Sequence, residues 1–187
     1  MPEDQLAAYV ELLRSRAIDM GLVSTSDRGR LMERHVEDSL RAVPLLGDRR
    51  QVVDIGSGGG LPGVPLAIAR PDLSFVLVEP KERAVAFLEL AVESLGVPNV
   101  KIRHARIEDV ELQADAATAR AFAPLPRTWA AASRALKPGG RLIYFAGASF
   151  DPAEARDITD PEPPASVELA GSGVESPAPL VIMTREE

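Results

Sequence analysis

With 187 residues, 45% of them hydrophobic, the chain is long enough to bury one proper core and too short for two full domains. The absence of cysteine excludes disulfides, thiolate metal sites and a cysteine nucleophile, and His35 and His104 alone are too few for a His-rich zinc site, so no metal is expected. The formal net charge of −7 arises entirely beyond residue 150, where nine acids face only Arg156 and Arg185; residues 1–150 balance at 19 against 19, so the chain does not advertise the basic face common among nucleic-acid binders.

The opening MPEDQLAAYVELLRSR carries acids early and lacks the apolar core of a signal peptide, and no apolar run approaches the roughly 20 residues that span a bilayer. The expectation is a soluble, cytoplasmic protein with no membrane contact. From Glu3 to Met20, Leu6, Val10, Leu13, Ala17 and Met20 recur three or four apart, which predicts an amphipathic helix ended by Gly21. Ser24, Thr25 and Ser26 offer N-caps for a second helix from Asp27 to Val43, closed by Pro44 and Gly47. These two helices are expected to cap the ligand edge of the sheet that follows. Arg28, Arg30, Arg34, Arg41, Arg49 and Arg50 are interleaved with Asp27, Glu33, Glu37, Asp38 and Asp48, so a local basic patch and a solvated mixed-charge face both stay open.

The pattern then changes to alternating strand and helix, the mark of a parallel sheet with helices on both faces. Strands are predicted at Gln51–Ile55, Ser74–Glu79, Asn99–Arg103, Asp115–Ala121 and Arg141–Phe145. Helices are predicted at Leu61–Ala69, Lys81–Leu95 and Leu125–Leu136, the last closed by Lys137-Pro138-Gly139-Gly140. Beyond Asp151 the chain is rich in proline and acid and carries two short apolar stretches, Val167–Ala170 and Leu180–Thr184; the loop around Pro161–Pro164 is expected to be irregular. The whole is read as one domain, with residues 1–47 as the helical cap, 48–150 as the core and 151–187 as the acidic segment.

The chemistry centres on QVVDIGSGGGLPG, Gln51 to Gly63. Val52, Val53 and Ile55 form a buried strand that stops at Gly56, Gly58, Gly59 and Gly60, where bare main chain admits a ligand closely and the next helix is expected to offer free N–H groups. Gly58, Gly60 and Gly63 satisfy the dinucleotide pattern G-x-G-x-x-G, while Asp54, Gly56, Gly58 and Gly60 form D-x-G-x-G-x-G, which resembles the first motif of class I methyltransferases. Glu79, ending the second strand, suits the ribose hydroxyls of either NAD or S-adenosylmethionine. The favoured ligand is S-adenosylmethionine, and a glycine turn that binds nothing is the plain alternative.

A wider resemblance rests on RHVEDSL (Arg34 to Leu40), VDIGSGGGLPGVPLAIARPD (Val53 to Asp72), VEPKERAVAFL (Val78 to Leu88) and ARAFAPL (Ala119 to Leu125). Over most of residues 31–145 the chain resembles the small-subunit ribosomal RNA guanine-N7 methyltransferases, the glucose-inhibited division protein B family. The resemblance implies a Rossmann-like class I methyltransferase fold, mostly parallel with a C-terminal antiparallel hairpin, and a 16S ribosomal RNA or 30S partner. It also implies that Gly56 and Leu61 touch the cofactor, that Glu79, Pro80 and Lys81 meet its ribose and adenine, and that Ile107 and Glu108 lie beside the adenine, with Arg120 at the mouth. For Ile107 a place in the core, and for Arg120 a place as a surface cation, remain the ordinary readings. His35, with Asp38 one turn later as its orienting partner, is taken with Arg120 as a candidate catalytic residue, against the bland reading of a packed histidine. Phe122 is a candidate to stack on a base, with a place as a core aromatic as the equal alternative.

The departures fall on the RNA side. Gly21-Leu22-Val23-Ser24-Thr25 replaces the family's asparagine-leucine-threonine element, Ala146 stands where a lysine follows strand five, and Ala178-Pro179 replaces an arginine-histidine pair. The cofactor half is intact while cationic groups expected near the substrate are missing. A methyltransferase of a small molecule or another RNA, and a non-catalytic cofactor-binding module, are therefore the rival readings; a dehydrogenase is more distant.

Overall fold

The computed structural model describes residues 1–147, 149–151, 155, 165–170 and 178–186; Pro161–Pro164, expected to be irregular, lie outside them. Seven strands form one sheet in the order β3-β2-β1-β4-β5-β7-β6. They are β1 (Gln51–Ile55), β2 (Ser74–Glu79), β3 (Val100–His104), β4 (Ala114–Arg120), β5 (Leu136–Phe145), β6 (Ala165–Ala170) and β7 (Leu180–Arg185). The first five run parallel, and β7 pairs antiparallel with both β5 and β6, forming the expected terminal hairpin.

Chain order in the sheet reverses between β1 and β4. Right-handed crossovers then put α4 (Gly63–Ala69) and α5 (Glu82–Leu95) on one face and α6 (Leu125–Ala135) on the other. Strand alternation sorts the side chains: Val52, Phe75 and Leu77 point to the first face, and Val53, Ile55, Val76 and Val78 point to the second, where Trp129 and Ala132 of α6 cover them. α5 shows the helical logic clearly, since Ala84, Val85, Phe87, Leu88, Ala91 and Leu95 are its buried stripe and Gly96 closes it at φ +60°.

β7 lies between β5 and β6 in the sheet, and on the first face of these strands the N-terminal segment joins the core. α1 (Pro2–Leu12) packs on α4 and α5. Val36, Ala42 and Leu46 join the same apolar cluster as Ala116, Ile143, Phe145 and Leu180, and Arg41 Nη2 donates to the Ala178 carbonyl at 3.1 Å. The cap is thus a layer of the core whose upper rim reaches the ligand edge, rather than a lid laid over that edge.

Several boundaries differ from expectation for local reasons. The predicted second helix is divided into a 3-10 turn at Thr25–Asp27, a π-helical stretch at Met32–Glu37 running into α2 (Asp38–Leu40), and α3 (Val43–Leu46). Pro44 does not close that helix; it sits in the first turn of α3, where a missing N–H costs nothing, and Gly47 at φ +51° ends it. The first helix likewise passes into a π-helical stretch, Leu13–Ala17. α4 starts at Gly63 instead of Leu61, because a residue preceding proline is disfavoured in helix. Lys137-Pro138-Gly139-Gly140 is a bulge inside β5, between the Ala114–Leu136 and Ala116–Arg141 pairs, with Gly139 at φ +73°. Among the described residues no helix is long and apolar enough to cross a membrane.

Candidate active site

The sheet reverses order between β1 and β4, and in open α/β sheets ligands bind beyond the carboxyl ends of the strands at such a point. Register brings the predicted residues level. Ile55 pairs with Val78 on one side and Ala119 on the other, so Gly56, Glu79 and Arg120 each stand one residue further along the same edge.

The glycine turn is bound tightly to its neighbours. Gly56 and Ser57 N–H groups donate to the Val78 carbonyl at 2.9 and 3.2 Å, and those of Gly60 and Leu61 donate to the Ser57 carbonyl at 2.7 and 3.3 Å. Gly58 N–H donates to Glu79 Oε2 at 2.9 Å, while Glu79 Oε1 accepts from Lys81 N–H at 2.9 Å. Glu79, 4% exposed, therefore laces the turn after β1 to the exit of β2. The protein itself consumes these N–H groups. The expectation of free N–H groups at the start of the next helix is corrected as well, because Val64 N–H donates to the Gly60 carbonyl at 2.7 Å and Leu66 N–H to the Pro62 carbonyl at 3.2 Å. A pyrophosphate would need those donors, whereas a phosphate-free nucleoside would not.

Three glycines here are required by space. A Cβ on Gly60, at φ +87°, would meet Val64 Cγ2 at 2.7 Å and the Tyr9 hydroxyl at 2.9 Å; one on Gly63 would strike Leu77 Cδ2 and Asp54 Oδ2; one on Gly56 would meet Phe122 Cδ2 at 2.7 Å. Phe122 thus lies on the bare face of Gly56. It is aimed there by Ala121, which adopts φ +53°, a conformation uncommon for a residue bearing a side chain and frequently found at functional sites.

Asp54 diverges from its expected ligand contact. Its side chain is wholly buried beneath the turn, Oδ1 accepting from Thr118 Oγ1 at 2.7 Å and Oδ2 facing Gly63. Burial pushes its carboxyl up to about 6, with the Thr118 bond opposing and the Glu79 charge adding to the rise. Ile107 is 5% exposed among the residues of the second-face core, in the 3-10 turn Ile107–Asp109 directly after β3, while Glu108, Pro80 and Lys81 are exposed and Leu61 is half-buried.

Arg120 and His35 are brought together. Arg120 Nη2 donates to His35 Nδ1 at 2.9 Å and to the Arg34 carbonyl at 3.1 Å, and its Nη1 lies 3.4 Å from Asp38 Oδ2. With 19% of its side chain exposed, Arg120 is a tethered group rather than a free surface cation. Asp38 is not the partner of His35; Asp27 is, with Oδ2 at 3.1 Å from Nε2, and Asp38 pairs instead with Arg41 at 2.7 Å and with Arg120. Asp27 escaped the sequence reading because it looks like one more acid in a mixed-charge stretch. Tyr9 escaped it too: it adjoins the helix stripe without belonging to it, and its hydroxyl donates to the Gly59 carbonyl at 2.5 Å from a fully buried position. Among the described residues no group of three or more His, Asp or Glu side chains is placed to hold a metal ion.

The sequence profile of the family described as rRNA small subunit methyltransferase G matches residues 2–158. The chain belongs to this family. A protein of Acidothermus cellulolyticus named ribosomal RNA small subunit methyltransferase G is 42% identical over 140 residues, a stretch that covers 75% of this chain and 63% of that relative, so the match spans a little under two thirds of the relative's length. A protein of the same name from Thermobifida fusca is 41% identical over 180 residues, covering 93% of this chain and 76% of its own. In fold the chain is similar to a precorrin-6y C5,15-methyltransferase from Geobacter metallireducens, with a TM-score of 0.61 at 17% identity over 89% of this chain and 91% of that one. The architecture is that of the class I S-adenosylmethionine-dependent methyltransferases.

Proposed function

We propose that the chain transfers the methyl group of S-adenosylmethionine to N7 of a guanine in small-subunit (16S) ribosomal RNA. The observation that carries this reading is the turn at the switch point: Gly58 has room on its bare side and donates its N–H to the Glu79 carboxylate, Phe122 covers Gly56, Val64 and Tyr9 back Gly60, and the N–H groups of Gly56 and Gly60 are already spent. Such a turn fits an uncharged ribose and a sulfonium better than a dinucleotide phosphate. Membership of the rRNA small subunit methyltransferase G family, and the names of its relatives, support methyl transfer and the RNA substrate.

In this reading Gly56 and Leu61 border the methionine part, Glu79 retains lone pairs for ribose hydroxyls, Pro80 and Lys81 flank the sugar, and Ile107 and Glu108 flank the adenine. Asp54 supports the floor from below. Bound there, S-adenosylmethionine supplies an electrophilic methyl whose carbon–sulfur bond breaks with the electron pair going to sulfur. Guanine N7 carries a lone pair and no proton, so the new nitrogen–carbon bond forms without a base. The protein's task is alignment and exclusion of water. His35, both of whose nitrogens are engaged, is consistent with that demand. Phe122, on Gly56 at the mouth, is placed to stack on the incoming base, a contact worth about 1–3 kcal/mol. Lys81, Arg83 and Arg106, all exposed, follow within four residues of the carboxyl ends of β2 and β3, and exposed Arg127 lies in the first turn of α6 after β4; together they give RNA phosphate a local footing despite the overall negative charge.

Incubation of the purified protein with methyl-labelled S-adenosylmethionine and 30S particles or 16S RNA from an unmethylated strain is expected to label one guanine at N7. Cofactor binding with no label in any RNA would reject the substrate assignment. A second reading, methylation of a small molecule or another RNA, is favoured by Ala146 and Ala178-Pro179 where the family carries cations, and label appearing only in a non-ribosomal fraction would establish it.

A further inference from the structure

The cap meets the end of β4 through a closed set of polar contacts whose proton positions follow from chemistry. Arg120 has five N–H donors and no acceptor, so the 2.9 Å contact from Nη2 obliges His35 Nδ1 to present a lone pair. The ring proton is then on Nε2, donated to Asp27 Oδ2 at 3.1 Å. Asp27 is itself held by Arg34, whose Nε lies 3.0 Å from Oδ1. Arg120 also donates to the main-chain carbonyls of Arg34 and His35, at 3.1 and 3.5 Å, within the π-helical stretch Met32–Glu37. Wide turns of that kind cluster at functional sites.

We propose that Asp27 and His35 are positioning residues for the methyl-transfer site, with Asp27 fixing the His35 tautomer so that Nδ1 holds the Arg120 guanidinium at the rim of the cradle. This rests on the reading of Arg120 as part of the cofactor and substrate site. Protonation of His35 turns Nδ1 into a donor pointed at a cation, so Arg120 loses that contact and keeps only Asp38 and the carbonyls. The groups facing His35 are Asp27 from the 3-10 turn, Arg34 and Asp38 from its own segment and Arg120 from β4; Tyr9 of α1 acts on Arg120 from behind. Burial and the Arg120 charge hold His35 below the usual histidine range, with Asp27 opposing, which keeps the lone pair available at neutral pH.

Two measurements test this. In 15N-labelled protein at neutral pH, the imidazole spectrum is expected to show His35 as the neutral Nε2–H form, assigned by its loss in His35→Asn; an Nδ1–H or charged His35 would overturn the proposal whatever the protein's activity. Second, affinity for S-adenosylhomocysteine is followed by calorimetry from about pH 8 to about pH 5, across the histidine range. Wild type is expected to weaken by about tenfold toward acid, the loss of one charge-assisted hydrogen bond. His35→Asn places an amide oxygen where Nδ1 stood and does not titrate, so its profile is expected to be flat near the neutral wild-type value, and His35→Leu is expected to be weak throughout. His104 and Asp54 are present in all three proteins, so their contributions cancel. An identical acid limb in wild type and His35→Asn, or wild-type affinity in His35→Leu, would overturn the proposal. Wild type that binds no S-adenosylhomocysteine at any pH would instead refute the cofactor reading, leaving the spectrum to decide the network.

Discussion

A carboxylate wholly removed from water is costly, and Asp54 is one such group, its burial lifting the carboxyl from 3.8 to about 6. Between about pH 4 and about pH 6 the folded chain keeps a proton that the unfolded chain has lost, so this residue's share of stability falls as pH rises through that window and the deficit is complete above it. Asp54→Asn removes the titration and leaves an amide oxygen for Thr118. Urea denaturation is expected to find the variant close to wild type near pH 4 and more stable by about 3 kcal/mol at pH 8, two pKa units converted at 1.36 kcal/mol each. Parallel stability curves across pH would contradict the assignment. The presence of an acid two residues before Gly56 was legible in the sequence; its place under the floor was not, since alternation along β1 shows only that Asp54 and Ile55 point to opposite faces. Thr118, which meets it from β4, is 64 residues away along the chain.

Among the elements, the glycine turn and α1 form one mechanical unit. Tyr9 spans 50 residues of sequence to donate to Gly59, and burial keeps its phenol protonated by raising it well above the ordinary tyrosine value. Tyr9→Phe keeps the ring packing and deletes the donor, leaving a carbonyl of a buried residue without that partner. It is expected to cost about 1–3 kcal/mol in thermal or urea unfolding and to weaken S-adenosylhomocysteine binding, because the floor loses its tie to the cap. Unchanged stability and affinity together would show the contact to be incidental. β1 and β2 matched their predicted limits because apolar runs bounded by turn residues mark buried strands well. The cap's second segment and the start of β5 did not, because Pro44 and Lys137-Pro138-Gly139-Gly140 are breakers by local preference alone. Pairing of Leu136 with Ala114 and of Arg141 with Ala116 turned one of them into a bulge, and helix-start tolerance turned the other into a beginning.

At the scale of the whole molecule, ligand binding is read in stability. A ligand at 100 times its dissociation constant adds about 2.7 kcal/mol, and a domain of this size moves by roughly 2–4 °C per kcal/mol, so saturating S-adenosylhomocysteine is expected to raise the midpoint of thermal unfolding by about 5–10 °C. NAD at the same concentration is expected to leave it unmoved, because the donors a pyrophosphate requires at Gly56, Ser57, Gly58, Gly60 and Leu61 are already used. A shift with NAD alone would reverse the choice of ligand. The strand-and-helix alternation, the glycine turn with its facing acid, and the family were legible in the linear chain, since each is written in short-range periodicity or contiguous motifs. What the N-terminal helices do, which N–H groups are spent, and that Asp27 rather than Asp38 holds His35 emerge only in the folded molecule. Those outcomes depend on side chains that meet across the reversal of sheet order, and no local pattern encodes which of several nearby acids a folded chain will bring within reach of one ring nitrogen.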